Sequence, residues 1–86
     1  MSNRETMRAL EMLDPRHEVW LTPGLGRTRK TFEALMIGRT TIPEIAAYQG
    51  LTHRTTNDHL TALVLHGLAE EQPDCESWLP CVRFPE

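Results

Sequence analysis

Cys75 and Cys81 are the residues with the most reactive side chains, and they stand six positions apart. Thiolates bind zinc or exchange disulfides, but a tetrahedral zinc site usually draws four ligands from CxxC or His pairs. This chain has no CxxC pair, and adding His66 gives only three loosely spaced ligands. We therefore expect no metal site and no cofactor, and we read the cysteines as reduced thiols in or near a hairpin, open at most to a redox role. No nucleophile motif, phosphate loop or paired carboxylates in a pocket can be traced, so the chain is not read as an enzyme.

What remains is the chemistry of charge. The chain has a net charge of −3, unevenly spread. Residues 27–66 carry five Arg or Lys against three acids, whereas residues 67–86 carry one Arg against five acids. Arg27, Arg29 and Lys30 make a small basic run, and Glu70, Glu71, Asp74 and Glu76 make an acidic one. Phosphate neutralisation calls for a basic footprint, which only the middle of the chain supplies.

The elements that hold these charges follow from apolar spacing and from breakers. Residues 3–13 read as a short helix with Met7, Leu10 and Leu13 in line, stopped by Asp14-Pro15. Residues 17–21 read as extended and residues 22–26 as a turn. A second helix is expected over 27–37, with Phe32, Leu35 and Met36 inward and Gly38 beyond its end. Thr40 and Thr41 suit a brief β-bridge. Thr41 and Pro43 then open a third helix that carries Ile45, Ala46 and Tyr48 and ends at Gly50. Thr52 caps a longer helix through Leu65, with Leu60, Leu63 and Val64 inward. A hairpin follows, with strands over 68–72 and 78–84, and Pro80 restricts the second strand to an edge. The expected architecture is mainly α with a small C-terminal β-hairpin, in one domain over 1–86.

Two of these helices meet across a short turn. Ala46 permits a close crossing, Gly50 makes the turn, and Leu51 is expected as a buried plug between the helices. From Glu44 the chain reads Glu-Ile-Ala-x-x-x-Gly-Leu-Thr-x-x-Thr-x-x-x-x-Leu-x-x-Leu-x-x-x-Gly-Leu. Over residues 27–84 this resembles the winged helix-turn-helix of MarR- and ArsR-type transcriptional regulators of bacteria or phages. The resemblance implies a sequence-specific regulator of transcription that places the helix over 52–65 in the major groove of double-stranded DNA. On the matching positions, His53, Arg54 and Asn57 are the implied base readers and Thr52 and Thr55 the implied phosphate contacts. Arg27, Arg29 and Lys30 would grip the flanking backbone, although a basic run is more often simply a solvated surface. His59, behind the reading face, packs or is solvated.

Three features depart from that pattern. Asp58 stands where the family often carries a cation, Thr56 replaces an apolar residue on the core side, and the hairpin is acidic where relatives carry a basic tip. They support an alternative: an acidic winged-helix interaction module, such as a phage-type inhibitor that docks Glu70, Glu71, Asp74 and Glu76 on a nucleic-acid-handling protein complex. For either function, residues 3–13 offer a homodimer surface. With no apolar run of about 18 residues and no basic-then-apolar start, we expect no membrane contact and a cytoplasmic location.

Overall fold

The indole of Trp20 organises the first part of the chain. In the computed structural model, which describes Met7 and residues 10–81, its Nε1–H donates to the Met12 carbonyl at 2.7 Å. Its ring lies tilted on Phe32, with centroids 5.8 Å apart. Residues 18–21 are therefore not extended. They wind into a 3-10 turn, Glu18–Leu21, started by His17 Nδ1 accepting from the Val19 N–H at 3.1 Å. A second 3-10 turn, Gly26–Thr28, packs directly on the first. Only glycine fits at position 26, because a Cβ there would lie 2.9 Å from the Trp20 carbonyl oxygen. Of the helix expected over 3–13, Met7 and residues 10–12 are helical, and the other positions up to residue 9 lie outside the described residues.

The helix expected from residue 27 starts two residues later, because residues 26–28 are already wound in the 3-10 turn. It forms α1, Arg29–Met36, which buries Thr31, Phe32, Ala34 and Leu35. The chain bends at Gly38 and enters α2, Ile42–Gln49, with Pro43 in its first turn, where a missing N–H costs nothing. Thr41 does not cap a backbone N–H; its hydroxyl donates instead to Glu44 Oε1 at 2.8 Å. Gly50 closes α2 at φ 70°, a left-handed conformation that a Cβ disfavours. Thr52 then opens α3, His53–Leu65, by accepting from the Thr55 N–H at 3.1 Å.

Ile45, Leu60 and Leu63 fill the space where α1, α2 and α3 cross, joined by Met12, Leu25 and Phe32. This filling accounts for two differences from the sequence expectation. Leu51 is 39% exposed rather than a buried plug, and Val64 is 39% exposed rather than inward. Each lies at the rim of a crossing that the other side chains already occupy.

The hairpin completes the fold. β1, Ala69–Glu71, pairs antiparallel with β2, Trp78–Pro80, in the register Ala69↔Pro80, Glu70↔Leu79 and Glu71↔Trp78. Ala69 and Trp78 turn into the core. The start of β2 also meets residues 40 and 41: Thr41 bridges Ser77, and the Trp78 N–H donates to the Thr40 carbonyl at 2.9 Å. Beyond that point β2 has, among the described residues, a neighbour on the β1 side only, which leaves room for Pro80. Residues 82–84 of the longer expected strand lie outside the described residues. The architecture is mainly helical with a small two-stranded antiparallel sheet. No helix among the described residues is long and apolar enough to cross a membrane.

Candidate functional site

α3 has two faces with opposite chemistry. Thr56, His59, Leu60 and Leu63 point inward at helical spacing and are buried. His53, Arg54, Asn57, Asp58 and Thr61 lie on the outside and are exposed. The side chains of His53, Arg54 and Asn57 make no hydrogen bond or ion pair among the described residues. Asp58 follows Arg54 by one turn without pairing to it, so one acid stands within the exposed polar face. At the amino end of this face the free N–H groups of the first turn add partial positive charge.

The threonines implied as phosphate contacts are engaged differently. Thr52 is a helix cap, and its hydroxyl also donates to Thr55 Oγ1 at 3.0 Å. That leaves the Thr55 hydroxyl proton as the one of the pair that can point outward.

The basic run divides in the same way. Arg27 and Lys30 are exposed. Arg29 is not available, and here the structure corrects the expectation. Its Nη1 donates to the Leu13 carbonyl at 2.8 Å and to Glu33 Oε1 at 3.2 Å, with only 18% of the side chain exposed. Glu33 in turn accepts from the Tyr48 hydroxyl at 2.7 Å. That bond, followed by Arg29, holds the Glu33 carboxyl below its ordinary value despite partial burial. Arg29 thus ties the segment before α1 to α1 itself, and the Glu33–Tyr48 bond carries the tie on to α2.

Within the hairpin, Glu70, Glu71 and Glu76 are exposed and form no ion pair among the described residues. Asp74 is committed to the tip. Its Oδ1 accepts from the Glu76 N–H at 2.9 Å and from the Ser77 N–H and hydroxyl, each at 3.1 Å. The Glu76 bond leads in keeping the Asp74 carboxyl below its usual range. Cys75 sits in this tip at φ 59°, whereas the Cys81 N–H donates to Leu68 at the other end of the hairpin. Neither cysteine is in a disulfide. Among the described residues, no cluster of His, Cys, Asp and Glu is grouped to hold a metal ion.

Sequence reasoning missed two partners of a buried group. His59 is neither solvated nor packed only against apolar atoms: its Nδ1 lies 3.1 Å from Thr31 Oγ1, which accepts from Gln49 Nε2 at 2.7 Å. Burial, and then the nearby charge of Arg27, lower the His59 pKa, while Asp58 acts the other way. Local spacing gives no sign of this chain, because its members are 28 and 18 residues apart in sequence.

No family model, curated protein or solved structure matches the chain.

Proposed function

We propose that the chain is a small winged helix-turn-helix protein that binds double-stranded DNA sequence-specifically and regulates transcription, with α3 as its reading helix. The observation that carries this reading is the exposed face of α3, where His53, Arg54 and Asn57 stand together with no partner among the described residues. Arginine reads guanine through two parallel hydrogen bonds and asparagine reads adenine in the same manner. The tight Gly50 turn and the pairing of residues 40 and 41 with the hairpin support the fold part of the reading. Met7 and Leu10, 61% and 58% exposed, support a homodimer through the N-terminal apolar line.

The docking differs from that of relatives with basic wings. Exposed Glu70, Glu71 and Glu76 repel phosphate, so the grip falls to Arg27, Lys30, Thr55 and the amino end of α3. Asp58 stands exposed one turn after Arg54, where a carboxylate can accept from a cytosine amine.

Selection from a random duplex library at low salt, followed by titration, tests the reading. We expect one preferred sequence and an affinity that falls about 10- to 100-fold in Arg54→Ala, as for the loss of one guanine contact. Failure to select any sequence, or an unchanged affinity in that variant, would overturn it. The exposed, unpaired Glu70, Glu71 and Glu76 favour a second reading, an acidic module for a basic surface on a nucleic-acid-handling protein. A partner captured by the wild type and released by Glu70→Lys with Glu71→Lys, without duplex binding, selects that reading.

A further inference from the structure

α1, α2 and α3 are joined by one short polar chain inside the core. Gln49 is the last residue of α2, Thr31 lies in the first turn of α1, and His59 stands in the middle of α3. Thr31 and His59 are buried, 0% and 5% exposed. The Thr31 hydroxyl has a single proton. Since its oxygen accepts from Gln49 at 2.7 Å, that proton is free to go to His59 Nδ1 at 3.1 Å, provided that Nδ1 carries none. A second proton on the ring turns Nδ1 into a donor facing this hydroxyl. It also places a cation on a ring that is only 5% exposed.

The charges around the ring come from few directions. The 26–28 turn brings Arg27, which repels a charged imidazole, and α3 itself brings Asp58, which favours one. α1 and α2 present uncharged Thr31 and Gln49, and the carboxylates of β1, Glu70 and Glu71, are exposed to solvent.

We propose that His59 is the residue that positions α3 against α1 and α2, and that it does so only while its ring is neutral. The joint lies directly behind the face that carries His53, Arg54 and Asn57, so a single proton controls how firmly that face is held. This consequence for duplex binding rests on the reading above; the joint itself does not.

The sign follows from the lowered pKa of the folded state. The His59 contribution is complete above the ordinary value of 6.5 and is lost as pH falls through the folded value. Thermal melting between about pH 8 and about pH 5 therefore separates the wild type from His59→Asn. Asparagine keeps an acceptor oxygen close to the place of Nδ1 and does not titrate. The wild type is expected to lose on the order of 5 °C in Tm across this range, the response of a small domain to one net hydrogen bond. His59→Asn is expected to lose little. Equal pH slopes in the two proteins overturn the proposal, as does a 15N shift showing a protonated Nδ1 in the folded protein at about pH 8. Should His59→Asn fail to fold, the wild-type ring is titrated by NMR alongside the amides of Thr31 and Gln49. A common midpoint supports the joint, and independent midpoints overturn it. Absence of duplex binding at every pH overturns the functional reading alone, and the melting and NMR results still decide on His59.

Discussion

α3 and the hairpin are consecutive in the chain and both rich in polar side chains, yet they use them in opposite ways. α3 engages the inward His59 through another helix and leaves His53, Arg54 and Asn57 outside with no side-chain partner among the described residues. The hairpin tip turns Asp74 onto its own backbone and leaves Glu70, Glu71 and Glu76 in solvent. A count of charges along the sequence separates the two regions by sign but says nothing of which side chains are engaged. The difference lies in which side chains the fold has already engaged, and only those left over are available to a partner.

The largest effect that tests this contrast is on the sealed side of α3. Leu60 is 0% exposed at the crossing of the helices, and Leu60→Ala is expected to cost about 2–5 kcal/mol in urea unfolding. A loss under about 1 kcal/mol, less than an ordinary buried leucine contributes, would mean that the inner face is not the common support of the fold. A smaller effect of opposite sign is expected at Thr56. Its Oγ1 is buried with no hydrogen-bond partner among the described residues, so this one inward polar group of α3 is not satisfied. Thr56→Val is expected to raise stability by about 1 kcal/mol, measured in the same way. Destabilisation would reveal a partner for the hydroxyl. The smallest effect belongs to the hairpin. Asp74→Ala is expected to speed amide exchange at Glu76 and Ser77 while exchange in α3 stays unchanged. Because the Asp74 carboxyl is held below 3.8, the same local loosening is expected in the wild type only as pH falls through that lower value. Faster exchange throughout α3 would merge the two regions into one.

The parts legible in the sequence are those decided within a few residues. Thr52 capping α3, Gly50 ending α2, Pro43 in a first turn and the bridge at Thr41 all depend on neighbouring backbone, and each is found where expected. The expected 27–37 helix and the hairpin strands agree in kind; the helix starts later because residues 26–28 are wound in a 3-10 turn, and the strands are shorter within the described residues. What sequence spacing could not give was decided by distant atoms. Residues 17–21 coil because Trp20 reaches Met12 and Phe32. Arg29 is withdrawn from the surface by a carbonyl 16 residues before it, and Leu51 is left at a rim that other side chains had filled. The candidate site divides likewise: its outer face could be read from helical period, whereas its inner support of Thr31, Gln49 and His59 could not.

The outer edge of β1 gives the acids of the hairpin a further meaning. Among the described residues β1 has a strand neighbour on one side only, so its other side presents backbone groups to which a foreign strand could add. Two adjacent glutamates, Glu70 and Glu71, make up most of this three-residue edge. Whatever they meet in a partner, two like charges side by side on this edge oppose the joining of copies edge to edge.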